Sequence, residues 1–288
     1  MSSKTSVDTI MKVAGGGAVA LCAVYAIAAH VLNDDVTPGC MANYELAATF
    51  DLHSTYGAPL SPIELQARAG IGEVGLMQNA RVVEVSGGPT PLALDVSLAR
   101  VRSEDPSVAT ASGIDFVWRP SALTAARSAC LRYSVFVPDA FEWGPGGYLP
   151  GLFGNDNSGR GVDPNAAPLR LRTRWHRDGL AELHARAPVI TSANGRVFAA
   201  RDKRLRRGQW STIEQELVLN GPSVADGSIK LWLNGELILN ERRVELAGSD
   251  PLTIDGVLAA VSHFSAPRGG APTDALRLQL SPLELAWR

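Results

Sequence analysis

Charge excess is the first thing this sequence lacks. Lys and Arg total 27 against 29 Asp and Glu, leaving a net charge of −2, and charged residues make up only 19 % of the chain. A nucleic-acid binder working by bulk electrostatics needs a basic surplus, so that class is excluded and any anion recognition must be local. The five histidines show no metal-ligand spacing. Asn155-Asp156-Asn157-Ser158-Gly159 resembles a calcium loop by composition alone, so no metal and no cofactor is expected. A glycine-rich phosphate loop leading into a helix is absent, and so is a Gly-x-Ser-x-Gly nucleophile turn. There are no internal repeats. No long segment carries a 3.6-residue period outside residues 13–32, which leaves little room for helical architecture.

That one stretch, Val13 to Leu32, holds no Asp, Glu, Lys or Arg. Twenty helical residues cross roughly 30 Å of hydrocarbon. Lys4 and Lys12 precede it, and Asp34 and Asp35 follow, so the positive-inside tendency exports what comes after. The rival reading is a cleaved signal peptide, since Ala26-Ile27-Ala28 has the small-x-small form of a cleavage site. The expected organisation is a cytoplasmic tail over 1–12, a transmembrane anchor or signal segment over 13–32, a linker over 33–43 and a single domain over 44–288. The expected place is the cell envelope, anchored in the inner membrane or secreted. Cys22 lies in the apolar span. Cys40 and Cys130 either pair, as an oxidising compartment allows, or stand as two separate buried thiols.

Hydrophobic residues supply 45 % of the chain, ample for a core. After Tyr44–Leu52 and a short helix starting at Ser61-Pro62-Ile63-Glu64, the pattern from Ala80 onward is strand after strand. In Leu92–Val101, apolar Leu92, Leu94, Val96 and Leu98 alternate with Ala93, Asp95, Ser97 and Ala99, the mark of a sheet with one buried face. Asn234-Gly235 between two such runs signals a type I′ hairpin. Further runs at 252–264 and 276–285 each read as one strand. Roughly a dozen short strands with Gly- and Pro-rich connections predict an all-β fold, two packed antiparallel sheets in a β-sandwich or jelly roll.

The chemistry concentrates between Glu142 and Pro188. Gly146-Gly147-Tyr148-Leu149-Pro150-Gly151 packs glycines around one tyrosine, which suits close approach of a ligand. Beyond it, Arg170, Arg172 and Arg174 share one face of a strand, as do Glu182, His184 and Arg186 of the next, the two joined by Arg177-Asp178-Gly179. A row of cations fits a groove for an anionic polymer, because a guanidinium grips a carboxylate or sulfate with two hydrogen bonds. The plainer alternative is a solvated outer face balanced by Asp178 and Glu182. β-Elimination on a uronate would use these parts directly. Arg172, with Arg174 or Arg186, would neutralise the carboxylate, and Tyr148 and His184 would share the base and acid roles. Tyr148 serves equally well as a stacking platform for a sugar ring. The basic run Arg201 to Arg207 reads as a loop, solvated or extending the anionic track.

These residues resemble the polysaccharide lyase family 14 domain, which includes alginate and glucuronan lyases on a curved jelly roll. The likeness runs from about Ala80 to the C-terminus. It follows a strand like CLRYSVFVP, then Phe141-Glu142-Trp143, the glycine pair, Leu149-Pro150-Gly151-Leu152 and the Arg172-x-x-Trp175 strand. Trp210, Gln215, Asn220, Asp226-Gly227 and the Trp232-x-Asn234-Gly235 hairpin complete it. The resemblance implies an exported lyase or, alternatively, a non-catalytic binding or scaffold module for an acidic polysaccharide. It places catalysis at Tyr148, His184 and Arg172, with Arg170, Arg174, Arg186, Trp175, Trp143 and Asn155 holding substrate. The sequence departs from the family where it matters most. Tyr148 replaces the lysine after the glycine pair, His184 and Arg186 replace a Tyr-x-Tyr pair, and Arg170 replaces a serine.

Overall fold

The computed structural model describes residues 38–70, 72–98, 112–155, 168–264 and 276–288. The expected tail and anchor lie outside the described residues, as do residues 33–37 of the linker. Among the described residues no helix is long and apolar enough to cross a membrane.

Two antiparallel sheets form a sandwich. The first runs β1 (Leu46–Phe50), β2 (Ala80–Glu84), β3 (Leu92–Ser97), β5 (Ser128–Val137), β10 (Gln209–Val218), β11 (Gly227–Leu233), β12 (Glu236–Val244), β15 (Arg277–Leu280) and β16 (Leu283–Trp287). The second contains β4 (Val117–Trp118), β6 (Gly146–Gly154), β7 (Leu169–His176), β8 (Leu180–Arg186), β9 (Arg196–Arg204), β13 (Gly256–Leu258) and β14 (Ser262–His263). Leu131, Tyr133 and Val135 of β5 face Leu171 and Trp175 of β7 and Leu183 of β8 in one core. Gln215 of β10, wholly buried, joins the layers: it accepts from Thr173 Oγ1 at 2.8 Å and donates to the Leu171 carbonyl at 3.4 Å.

Local signals hold where their chemistry is self-contained. Helix α1 (Pro62–Ala69) begins on a Ser61/Glu64 capping box and stops at Gly70, and a short α2 (Leu76–Asn79) follows. Asn234 and Gly235 take φ of 53° and 81° between β11 and β12, as a type I′ turn requires. Three expectations are corrected. Residues 252–264 form two short strands, and 276–285 is broken at Ser281-Pro282, where proline has no N–H for a ladder. The basic run, expected as a loop, continues β9 as far as Arg204. The glycine stretch at 146, which the sequence assigned to no element, is the strand β6.

Cys40 and Cys130 form a disulfide. It fastens the 3₁₀ turn Cys40–Asn43, assigned to the linker from sequence, beside β5 and β10. Cys40, Cys130 and Trp232 make a small buried cluster of their own.

Candidate functional site

Strands β6, β7 and β8 build the site side by side. The β7 and β8 register sets Arg170 opposite Arg186, Arg172 opposite His184 and Arg174 opposite Glu182. Alternation sends Leu171, Thr173 and Trp175 into the core and leaves the arginines on the other face. The turn that reverses the chain takes positive φ at Asp178 (58°) and Gly179 (77°). On the other side, β6 pairs with β7 through a bulge between Tyr148 and Gly151. That bulge frees the Pro150 carbonyl, and the buried Tyr133 hydroxyl donates to it at 3.1 Å. Burial raises the Tyr133 pKa, so the hydroxyl keeps its proton.

A cleft of about 230 Å³ opens on this face, lined by Tyr148, Arg170, Arg172, His184 and Arg186. Its floor is Arg172, only 8 % exposed. The guanidinium lies 3.7 Å from the centre of the Tyr148 ring, a cation–π contact, and makes no ion pair among the described residues. Its Nε is buried without a hydrogen-bond partner. Burial draws its pKa down to about 10, with Tyr148 and Asp115 opposing the fall and Arg170 adding to it, so it remains a cation at neutral pH. Burying a cation with no carboxylate in direct contact is costly, and an arriving anion would relieve that cost.

His184 is tuned the other way. Burial lowers its pKa, and the nearby Arg174, Arg186 and Arg172 push it further down against the opposing hydrogen bond to Asn194. Its Nε2 lies 2.6 Å from the Asn194 carbonyl. A carbonyl only accepts, so Nε2 carries the proton and the neutral ring keeps its lone pair on Nδ1. Asn194 reaches His184 because Gly195 turns with φ of 71°; a Cβ there would stand 2.6 Å from Nε2. The Tyr148 and His184 rings are 5.7 Å apart, and Phe264 packs edge-on against Tyr148 at 4.9 Å.

Of the residues chosen from sequence, Tyr148, His184, Arg172, Arg170 and Arg186 come together in the cleft. Arg174 stands on the same face, but its Nε donates to Glu182 at 2.6 Å, so its charge is already committed. Trp143 and Trp175 are corrected: both are interior, 7 % and 1 % exposed, and the Trp175 indole donates to the Trp143 carbonyl at 3.1 Å. Trp175 falls on the core side of β7 because it is an odd number of positions from Arg172. Asn155 follows the end of β6 with φ of 59° and is not among the residues that line the cleft. The basic run is largely occupied: Lys203 pairs with Glu236 at 2.5 Å, and Arg207 stacks on Trp143. Asn194 and Phe264 are contributors that sequence reasoning missed. The Asn194-Gly195 dipeptide marks a turn, but nothing in it tells which side chain its carbonyl meets.

The family model for polysaccharide lyase 14 matches residues 91–266, more than half of the chain. The chain belongs to the polysaccharide lyase 14 family. Its fold is similar to the marine PL-14 alginate lyase from Aplysia kurodai, with a TM-score of 0.63 and 19 % identity over 85 % of this chain and 99 % of that one. An alginate lyase from Chlorella virus gives 0.61 and 16 % identity over 84 % and 99 % of the two chains. A variant of alginate lyase Aly36B in complex with alginate trisaccharide gives 0.57 and 17 % over 85 % and 98 %. At such identities the likeness carries the fold. No curated protein matches the chain in sequence. Within the polysaccharide lyase 14 fold, then, this member presents a tyrosine, a neutral histidine and three arginines in one cleft.

Proposed function

We propose that the protein is a polysaccharide lyase that cleaves an acidic, uronate-containing polymer by β-elimination outside the cytoplasm. The observation that carries this reading is the buried, unpaired Arg172 guanidinium in one cleft with a neutral histidine and a tyrosine hydroxyl. A uronate carboxylate placed on Arg172 loses its charge penalty, which acidifies the adjacent C5–H. The His184 Nδ1 lone pair takes that proton. The released electrons form the C4=C5 double bond and expel the glycosidic oxygen at C4, which takes a proton from the Tyr148 hydroxyl. Transfer from the imidazolium to the phenolate, directly or through water, restores both groups.

Incubating the protein with a panel of polyuronates and following ultraviolet absorbance of new unsaturated ends tests the proposal. Product formation is the expected result. Retention in an affinity gel without product would replace the enzyme by a binding module.

Export is supported by the Cys40–Cys130 disulfide, which persists in oxidising compartments, together with the uncharged run at 13–32. A reporter active only in the cytoplasm, fused after Arg288, should stay silent.

A further inference from the structure

Next to β8 the second sheet ends on β9, and the register sets Val197 of β9 directly opposite His184. Residues directly opposite in a ladder share a face, so Val197 continues the face that carries the cleft. It is 39 % exposed, a large apolar side chain left at the surface. A second cavity of about 650 Å³ opens beside it, where β9 and β12, edge strands of the two sheets, come together. Ligand sites usually span about 300–1,000 Å³, so the space admits a sugar unit.

The two cavities share a wall. Gly195 lines the second, and a Cβ on it would stand 2.6 Å from His184 Nε2 and 3.0 Å from Arg186 Cγ, both residues of the first. A single turn of chain over 192–195, closed by the Gly195 N–H donating to the Ser192 carbonyl at 2.9 Å, separates them.

Arg196, Arg243 and Glu245 supply the charges of the second cavity, two cations against one carboxylate. Arg243 sits there against its backbone preference. Gly227 pairs with Val244 and Ser228 with Arg242, which leaves Arg243 as the extra residue of a β-bulge, with φ of 57°. Few side chains besides asparagine and aspartate take that conformation readily. Bulges re-aim side chains and strained backbone gathers at ligand sites, which gives the arginine a use that the ladder alone does not. Ile190 and Val197 add apolar surface to the same cavity. Apolar wall and guanidinium together suit a sugar acid, with ring carbons on one and carboxylate on the other.

We infer that this cavity is a second subsite for the same acidic polymer, holding a uronate unit further along the chain with its carboxylate on Arg243 and its ring against Val197. The inference rests on the lyase reading above for the polymer class. It adds the path the chain takes from the cleft, across β8 and β9 toward the edge of β12, with a cation at each end and Val197 between them.

The test is calorimetric binding of alginate and polyglucuronate oligosaccharides of two to eight units. The full chain carries Tyr148→Phe to slow turnover during the titration. Affinity should rise by about tenfold or more once the oligosaccharide engages both cavities, as a second linked contact provides, and the rise should shrink with salt. Arg243→Asn, chosen because asparagine accepts a left-handed backbone, should bind the shortest oligosaccharides as before and hold the rise to within about twofold. Glu245→Gln removes the carboxylate from the cavity and should steepen the rise, a gain that misfolding does not mimic.

A rise that survives Arg243→Asn overturns the subsite and leaves the lyase reading standing. An equal loss for short and long chains does the same, because it means attraction by the surface as a whole. Affinity independent of length in the parent, or a Glu245→Gln variant that binds long chains no better than the parent, also overturns the subsite alone. Binding of no oligosaccharide from either polymer sinks the acidic-polysaccharide reading and the subsite with it.

Discussion

Tyr148 can move a proton or merely wall the cleft, and one atom separates these roles. Tyr148→Phe keeps the ring against Arg172 and Phe264 and deletes the hydroxyl. Loss of a general acid lowers turnover by roughly 10²- to 10⁴-fold, so the variant should bind polymer as before and turn over slowly. Unchanged turnover would move the proton chemistry to His184 alone. Arg172→Lys keeps a charge but loses the planar fork; retained affinity in a polymer-binding assay would show that Arg172 does not grip the carboxylate. His184 makes a pH prediction. Its folded pKa lies below the ordinary 6.5, and the base must be neutral. Activity is therefore present above that depressed pKa and lost as pH falls through it, so the acid limb of kcat/KM, which reports the free enzyme, should lie below pH 6.5. A limb above 6.5 would contradict a burial-lowered histidine as base.

At the scale of the element, β6 shows how a strand can be built from poor strand formers. Glycine has no side chain to pack and costs backbone entropy, so Gly146–Gly154 carries no strand signal in the sequence. Its neighbours override this. At Gly147 a Cβ would stand 2.1 Å from the Trp175 ring and 2.4 Å from the Ser262 carbonyl. The residue is glycine because the strand runs directly over the core tryptophan. Gly147→Ala should cost about 1–3 kcal/mol of stability by overpacking, measured by urea unfolding, and should displace Tyr148 with it. The basic run misled for a related reason. Three arginines and a lysine within 201–206 look solvated, yet β9 pairs with β8 as far as Arg204 opposite Leu180, and cross-chain pairing leaves no trace in local composition.

For the whole molecule, the disulfide links residues 90 apart in sequence. Closing a loop of that length removes unfolded-state entropy worth about 4–5 kcal/mol in the chain-entropy model, against a usual range of about 2–4. Replacing both cysteines by alanine should lower unfolding free energy by about 2–5 kcal/mol without changing the cleft, which lies on the other sheet. The corresponding test is chemical denaturation of the variant beside polymer binding at a temperature where it stays folded. Loss of binding by the folded variant would mean that the first sheet and its clasp set the geometry of the second.

The sequence alone determined the period-two alternation that makes this an all-β sandwich, the capped helix at Ser61, the hairpin at Asn234-Gly235 and the gathering of arginines on one face of β7. These follow from chemistry between residues a few positions apart. Tertiary structure decided what those side chains are. Arg174 is neutralised because register sets it opposite Glu182, Arg170 is left facing Arg186 by the same register, and Trp175 is core because the first sheet covers its side of β7. His184 is neutral because burial and three arginines disfavour its proton while Asn194, ten residues on, claims Nε2. Burial, register and local field are sums over segments distant in the chain, and no local pattern encodes a sum of that kind.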